Sequence, residues 1–232
     1  MGLMIVSGSQ SGIGLAAVKR LRGAGHEVVG WDVADKDEPV DVGDDSSIEA
    51  AVERLNAKPD GVVLAAGTSS MAPLTETTTA QWEHQIRVNA FGVFASLRAL
   101  LPQMESGASA VVISSVAGLR GAPLLSAYSA SKFATIGLVH SAAVEQGARG
   151  VRVNAVCPMY VRTPMQEREL GWEGEIRNLS PGEVLAGYEE RTPLGRVASA
   201  DEIADVVAFL LGPDSAYMTG SVVTVTGGAD VP

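Results

Sequence analysis

LMIVSGSQSGIG, residues 3–14, joins a short apolar run to a glycine-rich loop. An apolar run such as residues 3–6 is typical of a central strand in a parallel sheet, which is covered on both faces. Leu15, Val18 and Leu21 then recur at helical spacing, so the sequence predicts a helix directly after the loop. Glycines at such a turn let the backbone approach a pyrophosphate, and the helix N-terminus offers N–H groups and a positive dipole. The alternative is a glycine-rich turn that binds no ligand.

Strands and helices are predicted to alternate along the rest of the chain. Apolar runs predict strands over residues 27–32, 61–64, 110–113, 151–156 and 221–226, and helical patterns cover residues 79–104 and 124–146. Capping boxes predict that two more helices begin at Ser46-x-x-Glu49 and Ser199-x-x-Glu202. This alternation predicts the α/β class, with a single doubly wound parallel sheet (Rossmann-type) and helices on both faces.

Two segments depart from the regular alternation. Only eight residues separate Asp32 from Asp41, and Pro39 lies among them. A parallel crossover through a helix needs about a dozen residues or more, so no full helix is expected there. From Met165 to Arg196 the periodic pattern is lost, and a long, weakly patterned insertion in a compact domain is commonly a lid. We therefore expect one domain over residues 1–232 with a substrate lid at about residues 163–196.

Composition and charge narrow the class of protein. The chain has 232 residues, of which 46% are hydrophobic, which is ample for one α/β domain and short for two. A formal net charge of −10 argues against a nucleic-acid partner or an anionic membrane surface. Cys157 is the only cysteine, so no internal disulfide is possible, and a reducing compartment fits. The chain runs from Met1 straight into an apolar strand without a basic leader, so we expect a soluble, cytoplasmic protein.

Two further patterns bear on membrane and metal binding. The apolar stretch 119–144 contains Lys132 with many serines and glycines, which argues against a membrane span. His26, His84 and His140 are scattered without metal-ligand spacing, so no metal site is predicted.

Tyr128 and Lys132 stand four residues apart, so on a helix both side chains rise from one face. Ser115 follows the strand at 110–113 and is therefore expected at an edge of the sheet. A phenol with a pKa of about 10 is a poor acid or base near neutrality, but a nearby ammonium lowers that pKa. A serine hydroxyl beside them could hold a substrate oxygen. The three groups could then exchange a proton with that oxygen while a hydride leaves or joins its carbon.

Ser115, Tyr128-x-x-x-Lys132 and Ser7-Gly8-x-x-x-Gly12-Ile13-Gly14, in this chain order, resemble the short-chain dehydrogenase/reductase family. The resemblance covers nearly the whole chain. It implies that Tyr128 is the acid/base, that Ser115 positions the substrate oxygen, and that Lys132 lowers the tyrosine pKa and binds the nicotinamide ribose. It also implies that Asn89 supports a proton relay by holding a water that links the lysine to solvent. A merely structural Asn89 is the alternative.

The resemblance also implies the cofactor and its contacts. Asp32 at the end of the second strand would accept hydrogen bonds from the adenosine ribose hydroxyls and repel a 2′-phosphate, which favours NAD over NADP. A strand-terminal aspartate that only caps a turn is the alternative. The expected cofactor-binding residues are Gly8, Gln10, Ser11, Gly12, Ile13, Gly14, Asp32, Asp41, Val42, Ala65, Ala66, Gly67, Tyr128, Lys132, Pro158, Val161 and Thr163.

This chain departs from the family pattern at two places. Leu64 or Ala65 stands where an asparagine is common, so a side-chain hydrogen bond is lost. Met159 stands where a glycine is usual, so the pocket beside the nicotinamide is expected to be narrowed.

The expected function is an NAD-dependent oxidoreductase that interconverts a secondary alcohol and a ketone. One alternative is an NADPH-dependent 3-oxoacyl-thioester reductase, against which Asp32 counts. The other is a non-catalytic dinucleotide-binding protein, whose usual mark would be loss of Ser115, Tyr128 or Lys132. The expected partner is a small-molecule alcohol or ketone, either a polyol or sugar or a compact hydrophobic alcohol. A nearly uncharged helix with small residues over 124–144 further predicts a homotetramer or homodimer.

Overall fold

A computed structural model describes residues 2–230 of the chain. Six parallel strands form the central sheet in the order β2-β1-β3-β4-β5-β8. The strands are β1 (Leu3–Ser7), β2 (Glu27–Trp31), β3 (Gly61–Leu64), β4 (Ser109–Ile113), β5 (Arg152–Pro158) and β8 (Val222–Val225). Two short strands, β6 (Val161–Arg162) and β7 (Ala198–Ser199), form a separate parallel pair. The chain crosses from β2 over β1 to β3, so the strand order reverses beside β1, where ligands of such sheets bind.

Helices cover both faces of the sheet, which confirms the predicted fold class. They are α1 (Gly12–Gly23), α2 (Asp45–Glu53), α3 (Thr79–Gln85), α4 (Gly92–Leu100), α5 (Ser126–Gly147), α6 (Pro164–Arg177), α7 (Pro181–Glu190) and α8 (Ala200–Leu211). Side chains of a strand alternate between faces. Met4 and Val6 of β1 pack with α1 and α8, whereas Leu3 and Ile5 pack with α2, α4 and α5. Burial of each strand on both faces explains why the strands are continuous apolar runs.

The helix predicted over residues 79–104 is divided into pieces. After α3 the backbone forms a π-helical segment over Ile86–Phe91, then α4, then a 3₁₀ turn over Leu101–Gln103. Pro102 lies in that final turn, where a proline can no longer continue an α-helix. A π-helical segment inside a helix frequently marks a functional position, and here it contains Asn89.

Two predicted helix starts were wrong by two residues each. The second helix begins at Asp45 with Asp44 as its N-cap, because the Asp44 side chain accepts a hydrogen bond from the Ser46 N–H at 3.1 Å. The predicted box at Ser46 therefore lies inside the helix. The helix predicted from Leu124 begins at Ser126, because Leu124 has a left-handed φ of 66° and its carbonyl accepts from the Ala72 N–H at 2.9 Å.

The segment from Met165 to Arg196, predicted to lack a pattern, contains two well-defined helices. Thr163 caps α6, which begins with Pro164, and α6 ends at Asn178 in the left-handed conformation. A capping box between Ser180 and Glu183 starts α7, so Pro181 opens a helix at a position that looked like an interruption. The periodicity of α6 was hidden because the side that faces inward carries polar residues.

The link between Asp32 and Asp41 contains no helix in the described structure, which confirms the prediction for this segment. The link is closed by a hydrogen bond from the Val40 N–H to the Asp32 carbonyl at 3.0 Å. Eight residues are enough for this turn and insufficient for a helical crossover.

Candidate active site

A cleft of about 1230 Å³ runs along the carboxyl ends of the strands. Of the predicted site residues, all but two line it: Gly8, Ser11, Gly12, Ile13, Gly14, Asp32, Asp41, Val42, Ala65, Ala66, Gly67, Ser115, Tyr128, Lys132, Pro158, Val161 and Thr163. The two exceptions are Gln10, which is exposed, and Asn89, which is fully buried. The fold thus brings residues from five of the six central strands and their following loops to one surface.

The glycine loop is shaped to approach a ligand closely. Gly8 has a φ of +69°, and a Cβ there would lie 2.8 Å from the Ala66 nitrogen. A Cβ on Gly14 would lie 2.0 Å from the Gly8 carbonyl oxygen. Ser11 is the N-cap of α1, but its side chain makes no capping hydrogen bond, so the first-turn N–H groups lack that acceptor. These N–H groups fit the pyrophosphate of a dinucleotide.

Asp32 is fixed by two backbone hydrogen bonds. Its Oδ2 accepts from the Gln10 N–H and its Oδ1 from the Ala34 N–H, both at 2.9 Å. Asp32 therefore caps the turn, but a carboxylate can accept about four hydrogen bonds, so both oxygens keep capacity for ribose hydroxyls. The Gln10 side chain points away to Asp35, at 3.1 Å. Gln10 therefore holds Asp32 through its backbone N–H, while its side chain is bonded to Asp35.

Lys132 is buried beside Tyr128 at the end of β4. It is 5% exposed, and its Nζ lies 5.6 Å from the centre of the Tyr128 ring. The Nζ donates to the Ile113 carbonyl at 2.9 Å. The Lys132 carbonyl accepts from the hydroxyls of Ser114 and Thr135, at 3.1 and 2.7 Å, so α5 is tied to the end of the strand. The lysine is thereby held rigidly in the cleft.

The pKa values of the two groups shift in the directions that favour their neutral forms. Burial lowers the pKa of Lys132 to about 8. Burial, followed by the Glu169 carboxylate, raises the pKa of the Tyr128 phenol, and the neighbouring Ser115 hydroxyl acts to lower it. The expected lowering of the tyrosine pKa by Lys132 is therefore not seen here. Burial of the phenol is the main cause of its raised pKa, and the Glu169 carboxylate adds to it, while the Lys132 ammonium is bonded to the Ile113 carbonyl.

Ser115 lines the cleft, whereas Asn89 is buried and does not line it. The Ser115 Oγ accepts from the Ala117 N–H at 3.1 Å, which leaves its proton able to donate into the cleft. Asn89 is fully buried, with its Oδ1 accepting from the Thr68 N–H at 2.8 Å. Its Nδ2 donates to the Thr68 carbonyl and to the Ser131 hydroxyl, both at 2.9 Å. The Asn89 side chain thus joins the loop after β3 to α5.

Sequence reasoning expected a substrate lid at about residues 163–196 but missed the two helices there, α6 and α7, and the residues that they bring to the other end of the cleft. Tyr160 and Tyr188 stack there with ring centres 4.0 Å apart, and the Tyr188 hydroxyl donates to Glu173 at 2.5 Å. Gln166, Glu169 and Glu173 share one side of α6 and line the cleft. The signal was available in Thr163-Pro164-x-Gln166, an N-cap pattern that would have placed these residues on one helix face.

Two further findings concern other classes of site. Within residues 2–230, no helix is sufficiently long and apolar to traverse a lipid bilayer. The same residues hold no group of three or more His, Cys, Asp or Glu side chains arranged to bind a metal ion.

One known protein family matches this chain over most of its length. A family model described as Enoyl-(Acyl carrier protein) reductase matches residues 8–230. The chain belongs to the short-chain dehydrogenase/reductase family. This confirms the resemblance seen in the sequence, and members of this family of oxidoreductases bind nicotinamide dinucleotides.

Individual relatives match this chain over different shares of their length. The chain is 34% identical to cis-4-hydroxycyclohexanecarboxylate dehydrogenase from Sinomonas cyclohexanicum over 246 residues, covering 97% of this chain and 94% of that protein. A solved structure of levodione reductase superposes with a TM-score of 0.92 at 30% identity, over 100% of this chain and 98% of that one. An uncharacterized short-chain type dehydrogenase/reductase from Sinorhizobium fredii is also 34% identical, over 244 residues and 97% of this chain. This chain spans only 43% of that longer protein.

Proposed function

We propose that the protein is an NAD-dependent oxidoreductase that interconverts a secondary alcohol and a ketone by hydride transfer, with Tyr128 as acid/base. The observation that carries this proposal is the convergence of Ser115, Tyr128 and Lys132 in the cleft that also contains the glycine loop and Asp32. Relatives named hydroxycyclohexanecarboxylate dehydrogenase and levodione reductase support an alcohol and ketone chemistry.

The side chains have separate roles in the proposed reaction. When bound, the nicotinamide accepts or delivers the hydride. The Ser115 hydroxyl donates to the substrate oxygen and holds it near the Tyr128 phenol. Tyr128 takes the proton from that oxygen during oxidation and returns it during reduction. Its raised pKa keeps the phenol protonated at neutral pH, so it holds the proton that the reduction consumes.

Lys132 and Asn89 support that proton transfer. Among residues 2–230, Lys132 is the only lysine on the wall of the cleft. In the proposed reaction it binds the nicotinamide ribose. Asn89 acts as a positioning residue for the relay, since it fixes both the Thr68 backbone and Ser131, the residue directly before Lys132. The water that it was expected to hold remains part of the proposal.

The choice of NAD over NADP rests on charge at the adenosine end. A ribose hydroxyl can donate to Asp32, whereas a 2′-phosphate meets it as a like charge. Asp35, Asp37 and Glu38 follow in the same short link and add negative charge, and Glu38 is paired with Arg54 at 3.6 Å. Lys36 is the one cation of the link and is exposed. The same feature disfavours an NADPH-dependent thioester reductase.

The arrangement of the chain is also part of the proposal. Residues 1–232 form one domain, in which residues of about 163–196, including α6 and α7, act as a lid over the substrate. A homotetramer or homodimer is supported by α5, which exposes Phe133, Ala134, Gly137 and Val144. Light scattering at micromolar concentration should then give a multiple of the 24.0 kDa chain mass. The net charge of −10 and the single cysteine support a cytoplasmic location.

A substrate panel tests the proposed function directly. Sugars, diols, hydroxy acids and cyclic alcohols are incubated with NAD, and the absorbance of the reduced cofactor is followed. We expect at least one secondary alcohol to be oxidised, and its ketone to be reduced with NADH. Binding of NADH without turnover of any alcohol or ketone would favour the non-catalytic dinucleotide-binding protein.

A further inference from the structure

Arginines are concentrated at the α6–α7 end of the cleft, although the chain carries a formal net charge of −10. Four of them line this end: Arg120, Arg168, Arg177 and Arg191. Glu169 and Glu173 are the carboxylates that face them in the same wall. Whether this end attracts an anion therefore depends on how these six charges are paired.

Glu173 is committed to partners within the protein. It is 9% exposed, it forms an ion pair with Arg177, and it accepts a hydrogen bond from the Tyr188 hydroxyl at 2.5 Å. One full negative charge of this wall is thus used to balance Arg177 and to fix the stacked tyrosines. Glu173 has little left to offer another cation.

Glu169 is balanced locally by its neighbours. Burial raises the pKa of the Glu169 carboxyl, and the Ser69 hydroxyl and the adjacent Arg168 guanidinium act to lower it. Arg168, the residue directly before Glu169, acts on this carboxyl through its charge without forming an ion pair within 4.0 Å among the described residues. Setting Arg177 against Glu173 and Arg168 against Glu169 leaves Arg120 and Arg191 without a carboxylate in this wall.

Arg120 and Arg191 come from different parts of the fold and line the same cleft. Within residues 2–230, neither guanidinium lies within 4.0 Å of a carboxylate. Arg191 follows α7, and its Cζ lies 5.8 Å from the centre of the Tyr160 ring. Arg120 lies in the loop after Ser115, and its Nη2 lies 3.9 Å from the Met159 sulfur. Arg120 thus lies beside Met159 and Arg191 beside Tyr160, two neighbouring residues of the cleft wall.

We propose that Arg120 and Arg191 bind an anionic group of the substrate, a carboxylate or a phosphate ester, at the end remote from the reacting carbon. This inference rests on the proposed function and narrows its substrate class. The planar guanidinium forks match either group by paired charge-assisted hydrogen bonds. Both arginines are exposed, so a neutral analogue that covers them displaces their water without supplying a counter-charge, and the same contacts select against it.

Matched substrates test the inference through turnover. Cyclic hydroxy acids are compared with their primary amides and with phosphate esters of the corresponding diols, so that ring and reacting alcohol stay the same. We expect kcat/KM for the preferred anion to exceed that of the amide by roughly 100-fold, about 10-fold for each arginine. Arg120→Gln and Arg191→Gln should each lose about 10-fold on the anion and less than about threefold on the amide. Arg162→Gln, an exposed arginine outside the cleft wall, is the matched control.

A binding measurement keeps the inference testable if no tested alcohol is turned over. Cyclohexanecarboxylate, cyclohexyl phosphate and cyclohexanecarboxamide are titrated calorimetrically into the protein saturated with NADH. Preference for either anion, lost in both arginine variants, supports the inference and shows which anion is bound. Equal binding of the amide, or an anion preference unchanged by both variants, overturns it. If acyl thioesters, titrated in the same way, bind more tightly than these three compounds and bind equally well to both arginine variants, the inference is also overturned. Failure of the proposed function would appear separately, as absence of hydride transfer with every alcohol and ketone.

Discussion

The glycine-loop end and the α6–α7 end of the cleft are built in different ways. At the first, backbone groups dominate: Gly8 and Gly14 are too crowded to carry a side chain, and the first-turn N–H groups of α1 receive no side-chain cap from Ser11. At the second, side chains from separate elements meet, such as Tyr160 after β5 with Tyr188 on α7 and Glu173 on α6. The backbone groups of the glycine-loop end suit a ligand that is always the same. The side chains of the α6–α7 end can be altered by a few substitutions. Tyr128, Ser115 and Lys132 lie in the same cleft and are accessible to ligands at both ends.

Removing the Tyr128 hydroxyl should give the largest effect. Tyr128→Phe keeps the ring but not the transferable proton, so we expect kcat to fall by about 10³-fold or more while NADH affinity changes little. Steady-state kinetics and a cofactor titration measure the two quantities. Tyr217→Phe, which alters an exposed tyrosine, is the control. Activity of Tyr128→Phe within tenfold of wild type would contradict the assignment.

Lys132→Met should weaken activity and cofactor binding, yet relieve a cost in the cofactor-free protein. The pKa of Lys132 is lowered from 10.5 to about 8, so burying its charged form destabilises the fold below pH 8. That cost disappears as the pH rises through 8 to 10.5. A shift of this size corresponds to about 3 kcal/mol, reduced by the lost bond to Ile113.

The pH dependence separates these contributions. Urea unfolding of wild type and Lys132→Met should show a free-energy difference that favours the variant most near pH 7 and shrinks toward pH 10.5. Lys19→Met, at an exposed position of α1, should show no such trend. A difference that is constant over this range would mean that Lys132 is not penalised by burial. A normal KM for the cofactor would contradict its proposed ribose contact.

Glu169→Gln should give a smaller effect that links the two ends. After burial, the Glu169 carboxylate is the main influence that raises the pKa of Tyr128. Removing this charge should lower that pKa, so the rising limb of kcat/KM for alcohol oxidation should move to lower pH. Glu167→Gln, at an exposed position on the same helix, provides the comparison. An unmoved limb, or one moved to higher pH, would show that Glu169 does not act on the tyrosine.

The sequence revealed the sheet and the glycine-loop end because both depend on local patterns. Each of these patterns predicts one local structure: the continuous apolar strands, the short link after Asp32 and the capping box at Ser199. A lid was expected at the α6–α7 end, but its helices were not predicted, because α6 turns Gln166 and Glu173 inward and so lacks the usual apolar stripe. The raised pKa of Tyr128 was also beyond the sequence, since Glu169 is distant from it along the chain. Contacts of that kind depend on tertiary packing and not on spacing.

Cofactor choice is the most direct test of the account. A 2′-phosphate a few Å from the Asp32 carboxylate costs a few kcal/mol at intermediate dielectric, so we expect kcat/KM for NAD to exceed that for NADP by at least ~50-fold. Asp32→Ser should reduce this ratio, mainly by weakening NAD binding and admitting NADP. The decisive measurement is the ratio of kcat/KM for NAD and NADP in wild type and in Asp32→Ser. A large wild-type ratio that collapses in the variant is the predicted result, whereas equal ratios in the two proteins, or a wild-type preference for NADP, would contradict it.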